Sequence, residues 1–519
     1  MASTGSFPNV ALTRRRFLEQ LGLVGGSSLV MTAMSSWDLM AGQAQGRPQL
    51  TGKPTKNKVI VLGAGVSGLV TAYELGKLGY DVRVIEARER VGGLAWTVRR
   101  GTEHTEIGGG DKQTCTFDDG LYVNVGPWRI PFTHTGVLGY CREVGVPMEL
   151  FINEAENSYF FYEGEQYGAL AGKRMRLREV KADMFGHINE LLVKATDQNK
   201  LDVPMTAEDK ERFIRFLVSS GYLDATTKTY KAIGDSSRQA YDTSALLRAG
   251  IGNRIRAVPL TDGTSAAPIF QPVGGMDQFP KGLARAIGTQ KISMGMEVIS
   301  VRQDETGVKV AVLDTKSGKK SELVADFVAV CLPMPIIAKL DINFSPEMMA
   351  SAKAVATSNS AKMGLAMKRR FWEEDDQIFG GHLYSNLPLG EFSYPSTGFF
   401  SKKGVLLGLY ANGPVGTMLD QTPAQRVEHV LSNAAKVHPQ VRTEFESGFG
   451  VWWKKVKYNE GGYATGSATA RRVQLSKMEN RLVIGSAAVC PYSEPDWQEG
   501  AVAAGWQTVK TIHERAMKG

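Results

Sequence analysis

The sequence predicts an α/β fold, on three observations. Val59 to Leu62 is a short apolar run of the buried-strand kind, followed by Gly63, Gly65 and Gly68 at G-x-G-x-x-G spacing. From Val66 to Leu78 the chain has helical spacing, with Val66, Leu69, Val70, Tyr73 and Leu75 on one side. Gly79 ends it, and Val82 to Ile85 reads as a second strand closed by Glu86. Further on, Ile292 to Val301 and Val308 to Leu313 read as hairpin strands around Asp304 to Gly307, and Asp326 to Leu332 as one more buried strand. Between these blocks, from Glu149 to about Gln271, charged and apolar residues alternate at helical spacing, as in Ala207 to Val218. The expected architecture is a Rossmann-type domain with a helical insertion.

Each part of the first unit has a physical job. Gly63 allows the tight turn, Gly65 lets a pyrophosphate approach the backbone, and Gly68 lets helix and strand pack closely. The helix start at Val66 and Ser67 offers free N–H groups and a positive dipole end to phosphate. Glu86 can accept hydrogen bonds from ribose hydroxyls. Strand, glycines, helix, strand and acid fall in order, which makes this a dinucleotide site.

Bulk properties bound the remaining classes. The 519 residues suffice for two or three domains, and 43% hydrophobic with 22% charged residues is ordinary for a globular protein. A net charge of +8 with no basic run interleaved with aromatics excludes nothing but gives no nucleic-acid footprint, so no such partner is expected. The four cysteines (Cys115, Cys141, Cys331, Cys490) form no C-x-x-C pair, and the seven histidines form no H-x-x-x-H pattern, so no metal is expected.

The N-terminus reads as a targeting segment, residues 1–44. Thr13-Arg14-Arg15-Arg16-Phe17-Leu18 resembles the twin-arginine export signal. A modestly apolar stretch, Leu21 to Met34, follows, and Gly42-Gln43-Ala44 offers small residues for cleavage. The stretch is too short and too polar for a membrane anchor, so a periplasmic or secreted protein is expected.

After the second strand, Glu86-Ala87-Arg88-Glu89-Arg90-Val91-Gly92-Gly93 resembles the E-A-x-x-R-x-G-G-R extension of the monoamine oxidase and L-amino-acid oxidase flavoproteins. The resemblance implies FAD rather than NAD. The last Arg of the pattern is Leu94 here, so another group must take its place. Gly126-Pro127-Trp128-Arg129-Ile130-Pro131 is similar to the G-P-x-R-x-P segment of L-amino-acid oxidases, where the backbone passes the flavin and the Arg holds the substrate carboxylate. The chemistry suits that role, since a guanidinium is a planar fork of donors that matches a carboxylate. Pro127 and Pro131 restrict the backbone on either side.

The similarity continues down the chain. Gln271 to Asp277 is similar to the family's G-G-M-D turn before a helix, and Val298 matches the residue whose backbone meets adenine. Lys362 matches the lysine that holds a water against flavin N5, with Phe371-Trp372-Glu373 at the family's spacing. Alternation turns it inward, where a lysine is costly without a purpose. Tyr410, ending the strand Val405 to Tyr410, resembles the tyrosine that donates to the substrate carboxylate; a core tyrosine is the rival reading. Trp453, Tyr458, Gly461, Gly462 and Tyr463 keep the spacing of the segment around the family's aromatic cage, with Tyr463 on one wall. Gly462 stands where some members carry the cysteine bonded to FAD, so non-covalent FAD is expected.

Arg481 to Ser486 and Asp496 to Gly505 resemble the final strand and the helix whose N-terminus faces the flavin pyrimidine. There the dipole favours the negative charge of the reduced ring. That assigns Gly485, Ser486, Trp497, Gln498 and Ala501 to the cofactor and Trp497 to the second cage wall, with Ser486 where the family has an acid. Glu494 and Asp496 make the preceding loop acidic. It is either a solvated loop or, at Asp496, a contact for the substrate that favours a cationic side chain. His187 reads as a surface helix residue.

Taken from Lys58 to His513, the resemblance implies an α+β two-domain flavoprotein. FAD would be held by residues 58–125, 272–335 and 476–519, a mixed-sheet substrate domain would comprise 126–150 and 336–475, and the helical insertion 151–271. The implied activity is oxidative deamination of L-amino acids, large apolar or aromatic over a broad range. Arg129 and Tyr410 clamp the carboxylate, and Tyr463 and Trp497 wall a slot that favours the neutral amine. Hydride leaves for the flavin, the imino acid hydrolyses to 2-oxo acid and ammonia, and molecular oxygen becomes hydrogen peroxide near Lys362. An amine oxidase or dehydrogenase, an amino-acid 2-monooxygenase, and an FAD-bound structural protein without turnover are the alternatives. A homodimer is the family-based expectation.

Overall fold

The apolar run Lys58–Leu62 becomes the central strand of a five-stranded sheet ordered Ile292–Ser293, Asp81–Ile85, Lys58–Leu62, Phe327–Val330, Leu482–Ile484. Every pairing in it is parallel. The computed structural model describes residues 46–518 other than 53, 55–56, 202, 235–236, 249–263, 412–417, 419, 466–467 and 492–496. The expected export segment 1–44, and Glu494 and Asp496, lie outside the described residues. From Lys58–Leu62 the chain order steps one way across the sheet, then reverses to Phe327–Val330 on the other side. Open α/β sheets bind ligands at such a reversal, beyond the carboxyl ends of the strands.

The helix Val66–Lys77 buries Leu69, Val70, Ala72 and Leu75 against this sheet. Full burial of one such aliphatic side chain contributes about 1.5–3 kcal/mol, so this face fixes the helix rotation. Gly79, with φ +87°, supplies the left-handed residue that ends it. The C-terminal helix Gln498–Ala516 lies alongside, and Gly505 permits the approach: a Cβ there would meet Val70 Cγ1 at 2.8 Å. On the opposite face, the antiparallel strands Met296–Gln303, Val308–Asp314 and Lys320–Ala325 close a second core. The expected hairpin turn is present, with the Asp304 carboxylate accepting from the Thr306 and Gly307 N–H groups at 2.7 and 3.0 Å. The run Ile292 to Val301 is not one strand. Ile292–Ser293 joins the parallel sheet, and the chain breaks at Gly295, which takes φ +69°.

The second sheet has seven strands, ordered Met175–Arg176, Tyr159–Phe161, His382–Ser385, Phe392–Ser393, Gly404–Ala411, Ala361–Met367, Phe445–Trp452. It is mixed: Tyr159–Phe161 and His382–Ser385 run parallel, and the other pairs antiparallel. Ala361–Met367 is buried along its whole length, so Lys362 is enclosed whichever face it takes. Among the described residues the insertion holds one short 3-10 helix, Glu165–Leu170, and is α-helical from Leu177 onward, in Leu177–Asp197, Ala207–Ser220 and Thr243–Arg248. Before it, the aromatic run Tyr159–Phe161 is drawn into the seven-stranded sheet because all three side chains are buried there. A three-stranded sheet of Ile130–Pro131, Ile269–Pro272 and Met148–Phe151 anchors the residues just after Arg129. Among the described residues no helix is long and apolar enough to cross a membrane.

Candidate functional site

A cleft of about 1290 Å³, counting the part open to solvent, lies at the sheet's reversal. Gly63, Gly65, Val66 and Ser67 line it from the first turn, and Glu86, Ala87, Arg88, Gly92, Gly93 and Leu94 from the segment after the second strand. Val298 borders it from the hairpin, and Pro127, Ser486, Trp497, Gln498 and Ala501 complete the expected set. Gly68 and Gly485 do not border it. A Cβ on Gly68 would lie 2.0 Å from the Gly63 carbonyl, and one on Gly485 2.7 Å from Cys331 Sγ, so both are glycines for packing. Gly126, Trp128, Arg129 and Trp453 border a neighbouring chamber instead.

The cleft fits FAD. The helix Val66–Lys77 starts at Gly65 with no side-chain cap and no acid in its first turn, leaving its N–H groups for an anion. Glu86 accepts the Ala64 and Arg88 N–H groups at 2.9 Å, one on each oxygen, which leaves lone pairs for hydroxyls. At the other end Gln498 is 7% exposed, yet neither its amide oxygen nor its nitrogen has a partner among the described residues. A polar group orphaned in this way costs about 1–3 kcal/mol, and a ring edge carrying both a donor and acceptors would satisfy it. Glu499, next along, is turned away and caps the helix Thr135–Glu143 through the Gly136 and Val137 N–H groups. At Gly462 a Cβ would lie 2.2 Å from Ser358 Oγ and 2.3 Å from Ser360 Oγ, so a side chain there would displace two serine hydroxyls.

The adjoining chamber measures about 970 Å³, counting the part open to solvent, and shares with the cleft the walls Leu94, Pro127, Gly462, Tyr463, Trp497 and Gln498. Arg129, Lys362, Tyr410, Tyr463 and Trp497, which the sequence placed in the chemistry, all line it. The Arg129 guanidinium carbon lies 5.5 Å from the Trp128 ring centre and 5.5 Å from that of Trp497. Both indoles are braced in turn, Trp128 edge-on to Phe151 at 5.1 Å and Trp497 edge-on to His134 at 5.0 Å. Two aromatic faces stabilise the cation and fix its plane, while its buried Nε has no hydrogen-bond partner among the described residues. The guanidinium is held ready for an anionic ligand.

Lys362 is 3% exposed and donates to the Gly126 carbonyl at 2.6 Å. Burial pushes it down to about 7; the charge of Glu391 pulls it up and that of Arg129 pushes it further down. Its ammonium also lies 3.9 Å from the Tyr410 ring centre and 5.2 Å from that of Trp128, contacts that favour the charged form. Both protonation states are therefore accessible near neutrality. Lys362 and Tyr410 are direct cross-strand partners because the register shifts between Met363 and Gly364. Gly126 itself must be glycine: a Cβ there would lie 1.7 Å from the Leu94 carbonyl.

His382, tilted against Trp128 with ring centres 5.0 Å apart, is pushed down to about 3 by burial and by Arg129, and stays neutral. His187 is half-buried on its helix and bonds the Tyr241 carbonyl at 3.0 Å, away from both cavities. Tyr458 borders the nucleotide cleft rather than the chamber, with its hydroxyl on Glu297 at 2.8 Å. Sequence reading missed Ser360 and Glu391. Ser360 was within reach, two residues before Lys362 and so on the same side of an extended chain. Glu391 belongs to no motif. Among the described residues no group of three or more His, Cys, Asp or Glu could hold a metal, and the four cysteines are buried.

A family model described as flavin containing amine oxidoreductase matches residues 66–513. L-amino acid oxidase bordonein-L of Crotalus durissus terrificus is 29% identical over 380 residues, 70% of this chain and 67% of its own. The L-amino-acid oxidase of Pseudechis australis is 29% identical over 381 residues, 69% of this chain and 66% of its own, so the chain spans about two thirds of the length of these relatives. Among solved structures, wild-type putrescine oxidase bound to putrescine superposes with a TM-score of 0.59 at 19% identity, covering 88% of this chain and 98% of that one. Cyclohexylamine oxidase from Brevibacterium oxydans IH-35A gives 0.59 at 18% identity, over 89% and 99%. At such identities the structural likeness speaks to the fold.

Proposed function

The chain belongs to the flavin-containing amine oxidoreductase family, and from that premise we propose that it is an FAD-dependent L-amino-acid oxidase. The observation that carries the reading is Arg129, pinned between Trp128 and Trp497 with its Nε unpartnered, in the chamber that adjoins the flavin cleft. A simple amine has nothing for a guanidinium to hold; an amino acid has a carboxylate. The curated relatives point the same way.

In this proposal Arg129 and Tyr410 fix the α-carboxylate and so orient the α-carbon. Tyr463 and Trp497, on the shared wall, flank the amine and exclude water, which favours its neutral form. Bound FAD supplies the acceptor for the two electrons lost from the Cα–N unit and passes them on to oxygen. Lys362 holds or releases a proton beside that wall. The products are the 2-oxo acid, ammonia and hydrogen peroxide. The aromatic walls suit large apolar or aromatic side chains. The crowding at Gly462 supports non-covalent FAD. The N-terminal segment supports export by the twin-arginine route to the periplasm or beyond, and a homodimer is the proposed assembly.

The test is a twenty-amino-acid panel on the purified yellow holoenzyme, with peroxide, 2-oxo acid and flavin bleaching measured together. Equal amounts of peroxide and 2-oxo acid are expected, and acid precipitation should leave the flavin in the supernatant. A decarboxylated amide as product would instead mark a monooxygenase. Failure of every amino acid to bleach the flavin would overturn the reading.

A further inference from the structure

The chamber contains an acid that the reaction above does not use. We propose that Glu391 is a specificity residue that receives the cationic end of a long L-amino-acid side chain, so that lysine-, ornithine- and arginine-like substrates are oxidised alongside apolar ones. The proposal rests on the oxidase reading and extends its substrate class.

Four observations carry it. Among the described residues the charged groups lining the chamber are Arg129, Lys362 and Glu391, so Glu391 is the one acid among them. It borders the chamber and not the nucleotide cleft. The reacting carbon must lie at the walls the two cavities share, so a group confined to the chamber meets a part of the ligand away from that carbon; Arg129 and Tyr410 take the carboxylate, which leaves the side chain for Glu391. Its backbone is clamped: the Glu391 N–H donates to the Tyr410 carbonyl at 2.8 Å, and the Tyr410 N–H to the Leu389 carbonyl at 3.1 Å. Gly390 makes this approach possible, since a Cβ there would lie 2.1 Å from the Tyr410 carbonyl. Finally, the Glu391 carboxylate makes no ion pair or hydrogen bond among the described residues, although its charge reaches Lys362.

The chemistry follows from this layout. A carboxylate facing a cavity walled by indole and phenol rings gains most from a cationic partner brought in by the ligand. With the α-carboxylate on Arg129, the methylene stem of lysine or arginine can lie along the faces of Trp128 and Tyr410, and its cation can end on Glu391. The exposure of Glu391 lets the far end of the ligand keep some water, which limits the desolvation cost of the pair.

The test compares kcat/KM for L-arginine and L-lysine with that for L-phenylalanine in the wild-type holoenzyme and in Glu391→Gln. The cationic-to-apolar ratio should fall about tenfold in the variant and recover in part in Glu391→Asp. Any influence of Glu391 on Lys362 acts on all substrates alike and cancels in the ratio. A ratio within threefold of wild type overturns the proposal. So does a wild-type enzyme that oxidises L-phenylalanine but neither L-arginine nor L-lysine, a result that leaves the oxidase reading standing; no amino acid bleaching the flavin would end both. Should the variant not fold, inhibition of wild-type L-phenylalanine oxidation by butylguanidinium should exceed that by 1-pentanol at least tenfold. Equal inhibition overturns the proposal.

Discussion

Replacing Arg129 with alanine tests the carboxylate clamp most directly. The guanidinium is set between two indoles at 5.5 Å each, with a buried Nε awaiting a partner, so binding a carboxylate requires little reordering. A charge-assisted hydrogen bond of this kind contributes about 1.5–3 kcal/mol, which corresponds to roughly 10- to 150-fold in affinity. Anaerobic stopped-flow measurement of flavin reduction gives Kd and the limiting rate for L-phenylalanine. Its decarboxylated counterpart, phenethylamine, serves as the control. In Arg129→Ala the Kd for L-phenylalanine should rise at least tenfold, while that for phenethylamine moves less than threefold. Arg129→Lys should fall between, because an ammonium restores the charge but not the planar fork. An unchanged Kd for L-phenylalanine, or equal losses for both ligands, would refute the clamp.

The other predictions concern the cofactor fold and Lys362. Lys362, ordinarily near 10.5, is pushed down to about 7 in the folded protein. Between those pH values the unfolded chain binds a proton that the folded chain does not, so the unfolding free energy of the FAD-free protein should rise with pH across that window. Urea unfolding at intervals from pH 7 to 10 should show that rise flattened in Lys362→Met; identical slopes would count against it. Gly68→Ala places a Cβ 2.0 Å from the Gly63 carbonyl, so it should cost about 1–3 kcal/mol of stability and lower the FAD content of the purified protein. Gln498→Met removes the orphaned amide at the shared wall and should weaken FAD binding, read as a right-shifted quench of flavin fluorescence; unaltered affinity would mean that the amide serves another ligand.

What could be read from the sequence was local. The strand–glycine–helix–strand unit at 58–86 is legible because its glycines, apolar runs and closing acid act within thirty residues of each other. Arg129 between its prolines and Lys362 before Phe371-Trp372 were legible for the same reason, as short patterns. What the sequence did not show depended on contacts between distant segments. The approach of Tyr410 to Lys362 needs a register shift at Met363/Gly364. Glu391 enters the chamber only because Gly390 lets its segment pair with Tyr410. Tyr159–Phe161 sits inside the expected insertion yet completes the substrate sheet through a parallel pairing with His382–Ser385, more than two hundred residues away. The break at Gly295 is local, but glycine marks turn and strand alike until its φ is known.

The two departures from the family pattern, Leu94 and Ser486, acquire structural roles that redistribute charge in the site. The Leu94 carbonyl is the atom against which Gly126 closes, accepts the Trp96 N–H at 2.8 Å, and so fastens the segment carrying Arg129 to the nucleotide fold. Its side chain contributes apolar wall to both cavities. Ser486 caps the short turn Ala487–Val489 through the Ala488 N–H. With leucine at 94, the cations lining the chamber among the described residues are Arg129 and Lys362. They oppose one another, since Arg129 lowers the proton affinity of Lys362. On the proposed reading, a carboxylate arriving at Arg129 cancels that repulsion and Lys362 gains protons as substrate binds.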